Sequence, residues 1–216
     1  MLELYDYWRS SAAYRVRITL NLKGVAYRQR AVDLMAMGQR AEGYDKIHPG
    51  RRVPALILED GTALPQSMAI LSYLDAAYPE PPLLPGLDHP AARARGEAAA
   101  LTIASDIHPV NNSGLLRQLK SRFGADDAGI SDWMHHWMTE GLAAFQSLIQ
   151  SDTAFCFGDA PGLADVCLVP QLYNARRAGL DMTPFAQLVQ VDARCAELPA
   201  FAAALPERQP DARPET

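Results

Sequence analysis

Prolines are concentrated between residues 79 and 90, where they make up five of the twelve residues. Proline lacks a backbone N–H and has a fixed φ, so such a run ends helices and interrupts strands. Upstream of it, short runs with strand-like alternation are interleaved with runs of helical period, whereas only helical runs follow it. We therefore predict an α/β domain over residues 1–80, a linker over 81–90 and an all-helical domain over 91–216.

The first domain predicts the element order βαβαββα. Strands are expected at residues 2–7, 25–32, 53–58 and 63–64, and helices at 10–23, 36–46 and 67–78. Asp60-Gly61 is a favoured hairpin turn and separates the last two strands. In the second domain, helical runs are expected at residues 91–121, 131–150, 163–178 and 185–204. The last dozen residues, which are rich in proline and charge, predict a frayed tail.

The composition is that of a globular protein, with 49% hydrophobic and 21% charged residues. A net charge of −5 gives no support for nucleic acid or an anionic membrane as a partner. No apolar run approaches the roughly 20 residues of a membrane span, and the N-terminal residues lack the pattern of a signal peptide. Cys156, Cys167 and Cys195 are odd in number and lack CxxC spacing, which predicts neither a disulfide framework nor a zinc site. We therefore expect a cytoplasmic protein without a metal.

Two short motifs in the first domain suit a peptide-like anion. Val53-Pro54 stands just before a strand, where proline fits if its peptide bond is cis and the segment is a sheet edge with free backbone groups. Such an edge can pair with an extended peptide. Further along, Gln66-Ser67 opens a helix whose unpaired N–H groups attract a carboxylate. A tripeptide with an anionic γ-glutamyl end would satisfy both motifs.

These features, together with the domain pattern, resemble the glutathione transferase family over nearly the whole chain. Residues 7–18, Tyr-Trp-Arg-Ser-Ser-Ala-Ala-Tyr-Arg-Val-Arg-Ile, are similar to the zeta-class signature, in which Ser-Ser-Cys precedes a helix bearing Arg-Val-Arg-Ile. Further segments similar to zeta-class sequences lie at residues 105–112, 157–159, 163–171 and 208–211. The resemblance implies the glutathione transferase fold, an α/β thioredoxin-like N-terminal domain followed by an all-α C-terminal domain.

Within this class, the chain is similar to maleylacetoacetate and maleylpyruvate isomerases. The resemblance implies a cis–trans isomerisation of an unsaturated dicarboxylate to its fumaryl isomer in aromatic degradation. It also implies glutathione as the cofactor, a small acidic substrate and a homodimer. Two alternatives stay open at this point: a broad-scope glutathione-conjugating transferase or peroxidase, and a glutathione-binding protein without enzymatic activity. One sequence does not distinguish the two maleyl substrates.

Ser10 and Ser11 stand at the start of the first predicted helix, where N–H groups and the helix dipole favour negative charge. A free thiol has a pKa of about 8.5, so a hydroxyl that donates to sulfur would help a thiolate to form. Periodicity alone also fits two serines that only cap the helix, whereas the resemblance implies that both are catalytic. Arg9 is expected to bind the substrate and to stabilise the negative charge that develops on it. Arg15 and Arg17 are expected to be structural.

The resemblance implies a set of glutathione-binding residues in both domains: Gln39, Val53, Pro54, Gln66, Ser67, His108 and Asn112. Gln39 is expected to reach the glycyl carboxylate of the tripeptide. His108 and Asn112 are four residues apart and would share one helix face, although a buried histidine bonded to the backbone fits this position equally well. Arg176, in the third helical run of the second domain, is the second candidate for binding the substrate.

The chain departs from the family pattern at several positions. Ala12 replaces the usual cysteine, so the thiol used by members that perform reductive dehalogenation is missing, but isomerisation needs only the thiolate of glutathione. Gly162 replaces the usual Ser or Thr helix cap, and it precedes Asp165, which we expect to start its helix rather than to act as an acid. His48 and Arg52 replace the usual Asn and an uncharged residue near the expected cis-proline turn.

Overall fold

The computed structural model describes residues 1–213 and consists of two compact units. The first unit comprises Met1–Pro82 together with the described residues from Ala196 onward. The second unit comprises Leu83–Cys195. The described residues from Ala196 onward are therefore grouped with the sheet, whereas the sequence predicts one helical domain over residues 91–216.

A four-stranded sheet organises the first unit. Its strands, in chain order, are β1 Leu2–Asp6, β2 Tyr27–Ala31, β3 Ala55–Ile57 and β4 Ala63–Pro65. Their spatial order is β2-β1-β3-β4, with β1 parallel to β2 and antiparallel to β3, and β3 antiparallel to β4. Alternate residues of β1 point to the same face of the sheet, and Leu2, Leu4 and Asp6 are the buried ones.

The remaining regular structure is helical. In chain order, the α-helices within residues 1–213 are α1 Ser11–Leu22, α2 Tyr44–Ile47, α3 Ser67–Ala77, α4 Pro90–Leu101, α5 His108–Val110, α6 Ser113–Phe123, α7 Asp127–Leu148, α8 Leu163–Arg177, α9 Ala186–Ala196 and α10 Pro199–Ala204. The βαβαββα order of the first 80 residues is confirmed, and α1 packs against both α3 and α10. Within the described part of the chain, no helix has the length and apolar character that crossing a bilayer would require.

The helix expected over residues 36–46 is mostly absent. Asp33 accepts hydrogen bonds from the N–H groups of the second and third residues after it, at 3.0 and 3.1 Å, and this local turn competes with a helix. Met37 then has a left-handed backbone (φ 59°), and Gly38–Arg40 form a 3₁₀ turn. Only the single turn of α2 is α-helical in this stretch.

The helix expected over residues 91–121 is also interrupted. α4 continues into a π-helical segment, Thr102–Ile107, and then into α5, which stops at Val110. Asn112 has an extended backbone (ψ 138°), and its side-chain oxygen accepts a hydrogen bond from the N–H of Gly114 at 2.7 Å. Asparagine is a strong N-cap residue, so a new helix, α6, starts at this point.

A buried ion pair joins β1 to α1. Arg17 is fully buried and donates two hydrogen bonds of 2.8 Å to the carboxylate of Asp6. Its other nitrogens donate to main-chain carbonyls, Nη2 to Trp8 at 2.8 Å and Nε to Ala204 at 3.1 Å. Gln29 of β2 donates to Asp6 at 2.5 Å. Burial raises the pKa of Asp6, and the charge and hydrogen bonds of Arg17 oppose that rise. Arg17 therefore has the expected structural role, because it links β1 to α1 and to the main chain of two other segments.

Asp165 starts the buried helix of the second unit, α8, as expected. Its two carboxylate oxygens accept hydrogen bonds from the N–H groups of Gly162, at 2.8 Å, and Cys156, at 2.9 Å. Asp165 is buried, and this burial raises the pKa of its carboxyl. Both of its oxygens are used to organise the backbone at the helix start, which is a structural role.

The predicted frayed tail is wrong for the described residues up to Arg213, while residues 214–216 lie outside them. Gln209 is buried, and its amide donates to two main-chain carbonyls at 2.7 and 3.0 Å. Asp211 accepts a hydrogen bond from the N–H of Trp8 at 3.0 Å, and Arg213 pairs with a carboxylate at 2.7 Å. Contacts with residues far away in the sequence hold this segment on the first unit.

We predict that Arg17→Met lowers the free energy of unfolding by about 3–5 kcal/mol, because it leaves the buried charge of Asp6 uncompensated. Urea unfolding followed by circular dichroism measures the change. The matched control is Arg30→Met, which breaks a 2.8 Å ion pair with Glu3 on the exposed side of the sheet. Exposed pairs contribute little, so its unfolding midpoint should stay near that of the wild type. Equal decreases in the free energy of unfolding of Arg17→Met and Arg30→Met would contradict this prediction.

Candidate functional site

Ser10 caps the N-terminus of α1. Its backbone is extended (φ −74°, ψ 115°), and its Oγ accepts a hydrogen bond from the N–H of Ala13 at 3.2 Å. Its own N–H donates to the carbonyl of Tyr7 at 2.9 Å, which fixes the path of the chain into the helix. A serine hydroxyl has one donor and two acceptor positions, so the cap leaves the O–H of Ser10 available to donate to an anion.

Ser11 is the first residue of α1 and, like Ser10, is half-buried. Within residues 1–213, the N–H groups of Ser11 and Ala12 have no protein hydrogen-bond acceptor. Unpaired N–H groups at a helix start carry the positive end of the helix dipole and attract anions. Together with the two hydroxyls, they form a site that suits a thiolate.

Arg9 lies directly before these serines and is half-buried. The central carbon of its guanidinium is 5.1 Å from the ring centroid of Trp8, a cation–π contact. Trp8 is itself buried, with 4% of its surface exposed, so it gives the guanidinium a fixed support. This contact restrains the positive charge of a residue that directly precedes Ser10 in the sequence, and its action on an acidic substrate stays a prediction.

The Val53-Pro54 peptide bond is cis, as expected. The expectation of a sheet edge is wrong for the strand as a whole, because β3 pairs with β1 on one side and with β4 on the other. This pairing begins at Ala55, and among the described residues the N–H and C=O of Val53 have no partner. The free backbone is thus confined to one residue before the strand, where it can still pair with an extended peptide.

Two buried side chains hold the loop that leads to Val53. The Nδ1 of His48 accepts a hydrogen bond from the N–H of Gly50 at 3.0 Å. An asparagine makes the same bond to the second residue after it in an Asx turn, so His48 reproduces the local geometry of the usual family residue. Tyr44 donates to the carbonyl of Arg52 at 2.9 Å. Burial raises the pKa of Tyr44 to about 12 and lowers that of His48.

The N-terminus of α3 has no side-chain cap. Gln66, the residue before it, has φ 72°, an uncommon conformation for a residue with a Cβ and one that often marks a functional position. Ser67 is buried, and its Oγ accepts a hydrogen bond from Nη1 of buried Arg15 at 3.4 Å. Arg15 can only donate, so the O–H of Ser67 must donate elsewhere. It is suited to donate to a carboxylate bound at this helix start.

Gln39 lies in the 3₁₀ turn Gly38–Arg40. Its Nε2 is 3.8 Å from the sulfur of Met37, which is a weak acceptor. Its Oε1 is buried and has no hydrogen-bond partner among the described residues. A buried polar atom without a partner is unfavourable, so this amide has hydrogen-bonding capacity that a ligand could use.

His108 and Asn112 do not share a helix face, so that expectation is wrong. The spacing of four residues assumes one continuous helix, but α5 ends at Val110 and Asn112 caps α6. The cap uses the side-chain oxygen of Asn112, which accepts from the N–H of Gly114. Both residues belong to the second unit. Their contact with glutathione stays a prediction.

Arg176 forms an ion pair with Asp192 of α9, with Nη1 and Oδ2 2.6 Å apart. The arginine side chain is 44% exposed, so this is a surface pair within the second unit. Burial raises the pKa of Asp192, and Arg176 opposes that rise. The next residue, Arg177, donates to the side chain of Asn174 at 3.0 Å. A substrate-binding role for Arg176 stays a prediction.

The first unit contains the features that an extended tripeptide with a thiol and two carboxylates requires. The start of α1 can bind the thiolate, and the start of α3 can bind one carboxylate. The free backbone of Val53 can pair with the main chain of the peptide. The Nε2 of Gln39, whose acceptor is only the weakly accepting sulfur of Met37, can donate to the other carboxylate. These residues fit glutathione.

Comparison with known proteins identifies the family. The model of the glutathione S-transferase N-terminal domain matches residues 4–82. A probable maleylacetoacetate isomerase from Vibrio cholerae is 46% identical to this chain over 215 residues, which cover 98% of both chains. The chain belongs to the glutathione S-transferase family. Within that family it is a zeta-class member, as residues 7–18 predict.

Solved structures of related proteins share this fold. The holo structure of a maleyl pyruvate isomerase, a bacterial zeta-class transferase, matches with a TM-score of 0.92 at 41% identity and covers 98% of this chain and 100% of its own. A maleylacetoacetate isomerase from Anaeromyxobacter dehalogenans, with dicarboxyethyl glutathione and citrate in its active site, matches with a TM-score of 0.86 at 46% identity. That match covers 99% of this chain and 98% of the other. The predicted glutathione transferase fold is confirmed.

We predict that His48 makes the stability of this zeta-class protein depend on pH. Because folding lowers its pKa, the unfolded chain binds a proton that the folded chain does not, in the range below the usual histidine value of about 6.5. The stability that neutral His48 contributes is therefore fully present above about pH 6.5 and is lost progressively as the pH falls below it. Urea unfolding of the wild type at about pH 7.5 and about pH 5.5 measures this loss.

His48→Asn should reduce the difference between the two pH values, because asparagine keeps an acceptor for Gly50 and does not titrate. His48→Ala is the control: it removes both the hydrogen bond and the titrating group. We expect it to lower stability at both pH values while also flattening the pH dependence. An unchanged pH dependence in His48→Asn would show that other groups cause it.

Proposed function

We propose that this chain is a glutathione-dependent cis–trans isomerase that converts maleylpyruvate or maleylacetoacetate to the fumaryl isomer, a step in aromatic degradation. Glutathione is the cofactor. Relatives that match the whole chain support the proposal, and they include a probable maleylacetoacetate isomerase and a maleyl pyruvate isomerase. The choice between these two substrates stays open.

The observation that carries the proposal is the start of α1, where two serine hydroxyls and two unpaired N–H groups are available to one anion. Glutathione, when bound, supplies the thiolate that adds to the cis double bond and leaves again after rotation about the resulting single bond. Ser10 and Ser11 donate hydrogen bonds to the sulfur and, with the helix dipole, lower the pKa of its thiol. No side-chain thiol is needed for this role, so Ala12 is compatible with it.

Arg9 favours an acidic substrate. Negative charge develops on the carbonyl conjugated to the double bond, and a fixed cation beside it lowers the energy of that arrangement. The related enzyme from Anaeromyxobacter dehalogenans holds dicarboxyethyl glutathione and citrate, two ligands with several carboxylates, which supports a small acidic substrate here. Arg176 is the second candidate, and a substrate carboxylate would share it with Asp192.

Unused polar groups of the first unit support the remaining proposed contacts to glutathione. The N–H and C=O of Val53, which have no partner among the described residues, pair with the cysteinyl backbone. Gln66 and Ser67 bind the γ-glutamyl carboxylate at the start of α3. The amide of Gln39 binds the glycyl carboxylate. The two candidates from the second unit are His108 and Asn112.

Turnover tests the proposed function directly. Maleylpyruvate should be converted to its trans isomer with glutathione required but not consumed, as followed by absorbance and thiol titration. Arg9→Met should lower kcat/KM on the order of 100-fold, because a fixed cation no longer faces the developing charge. Calorimetry should show nearly unchanged glutathione affinity. An equal loss of glutathione binding would contradict the role of Arg9 toward the substrate.

Two further variants separate the thiol chemistry from the substrate chemistry. Ser10→Ala removes a donor to sulfur, so the pH–rate profile should move to higher pH as the pKa of the bound thiol rises. Ala12→Cys is the control, because it restores the residue usual in the family. Isomerisation needs no protein thiol, so its rate should change little. A large gain would show that a thiol-exchange step has been overlooked.

We also propose a homodimer, in which the thioredoxin-like domain of one subunit packs on the helical domain of the other, as the family resemblance implies. Sedimentation equilibrium at micromolar protein should give twice the mass of one chain, and the mass of a single chain would contradict the proposal.

The cytoplasm is the proposed location. The burial of Cys156, Cys167 and Cys195 as free thiols supports a reducing compartment.

A further inference from the structure

The end of the chain contacts the loop that carries the proposed catalytic residues. Asp211 follows Trp8 by 203 positions, and its Oδ2 accepts a hydrogen bond from the main-chain N–H of Trp8 at 3.0 Å. Trp8 immediately precedes Arg9 and Ser10 in the sequence. The isomerisation described above gives this contact no role.

Charged side chains hold both main-chain polar groups of Trp8. Its N–H is bound by Asp211, and its C=O accepts from Nη2 of Arg17 at 2.8 Å. Hydrogen bonds to charged partners are shorter and stronger than those between neutral groups. Arg17 is itself anchored by two bonds to Asp6. The peptide groups on either side of Trp8 are therefore fixed from two directions.

The loop at residues 7–10, which we call the serine loop, has no regular secondary structure. Outside helices and strands, main-chain polar groups are paired by side chains or water instead of a regular ladder, so the bonds from Asp211 and Arg17 restrain this loop. Movement of Trp8 would displace the cation–π contact of Arg9 and the N–H of Ser10, which bonds to Tyr7. Both proposed catalytic side chains would then move with it.

The segment that presents Asp211 is anchored on both sides. Before it, the buried amide of Gln209 donates to the carbonyls of Ala203 and Leu205 at 3.0 and 2.7 Å. After it, Arg213 forms a 2.7 Å ion pair with the carboxylate that follows β2. The carboxylate of Asp211 is thus held at a defined place rather than on a free chain end.

We propose that Asp211 is a positioning residue that holds the serine loop in its reactive geometry. The inference rests on the proposed function of Arg9 and Ser10, and it adds the tail of the chain to the machinery of the site. Loss of the acceptor lets the N–H of Trp8 turn to water and lets the loop shift. A misplacement of about 1 Å in a catalytic group can lower a rate on the order of 100-fold.

Three variants test this role. Asp211→Ala removes the acceptor, and Asp211→Asn keeps an oxygen at the same place without the charge. Arg213→Ala is the matched control, because it breaks the neighbouring contact of the same segment. For each variant we would measure kcat and its pH profile, the calorimetric affinity for glutathione, and the hydrogen-exchange rate of the Trp8 amide by NMR.

In Asp211→Ala we expect the Trp8 amide to exchange its hydrogen faster than in the wild type. We also expect kcat to fall about tenfold or more and the pH profile of kcat to move to higher pH. Asp211→Asn should stay within about threefold of the wild-type kcat, because its oxygen still accepts the hydrogen bond. Arg213→Ala should change all three measurements less than Asp211→Ala, because it keeps the acceptor and Gln209 still anchors the segment on its other side. Faster exchange with an unchanged kcat and pH profile would overturn the inference, as would equal losses in the Asn and Ala variants.

Two further measurements keep the test decisive. If Asp211→Ala does not fold, Asp211→Glu moves the acceptor by one methylene and should lose amide protection and kcat together, whereas loss of protection alone would overturn the inference. Ser10→Ala in the wild-type background separates the two proposals. If it leaves the pH profile unchanged, the proposed function of Ser10 fails. If it shifts the profile but Asp211→Ala does not, only the positioning role fails.

Discussion

The buried guanidinium of Arg17 is the group on which the first unit depends. Arginine has five N–H donors, no acceptor and no accessible neutral form in a protein, so burying it requires acceptors on several sides. Asp6 of β1, the carbonyl of Trp8 and the carbonyl of Ala204 supply them. These three acceptors come from a strand, from the loop after it and from the end of α10. Burial of one cation therefore joins β1 and the loop after it to the distant end of α10, and the start of α1 follows directly on that loop.

The site consists of polar groups that folding leaves unused. Nearly all buried polar groups in proteins have partners, so groups without partners near the surface of a folded unit indicate where a ligand binds. Those near the candidate site in the first unit include the N–H groups at the start of α1, the main chain of Val53, the Nε2 of Gln39 and the O–H of Ser67. An acidic protein, with a net charge of −5, can still bind acidic ligands, because these donors and Arg9 act at short range whereas distant charges are screened.

Features set by neighbouring residues could be predicted from the sequence, and contacts between distant residues could not. The βαβαββα order follows from local periodicity, and Asp60-Gly61 forms the expected turn, in which Gly61 has φ 85°. The site residues came from motif resemblance. The bond between Asp211 and Trp8 has no local signal, so the composition of the tail predicts fraying that the structure does not show. The interruption of the helix at Asn112 does have a local signal, because asparagine is a preferred helix cap. This capping preference outweighs the four-residue spacing that suggests a shared helix face for His108 and Asn112.

The departures from the family pattern show which chemistry the chain retains. At Gly162 a Cβ would lie 2.9 Å from the carbonyl of Leu83, so glycine allows that backbone to approach, while Asp165 caps the helix instead. His48 keeps the local hydrogen bond that an asparagine would make. Ala12 differs from both, because it is buried with 9% exposure and replaces a reactive thiol with a methyl group that offers no chemistry. Gly162 and His48 thus preserve the local structure. Ala12 instead removes a group that thiol exchange requires and isomerisation does not. The loss of this thiol therefore removes thiol exchange and leaves untouched the proposed isomerisation, which uses only the thiol of glutathione.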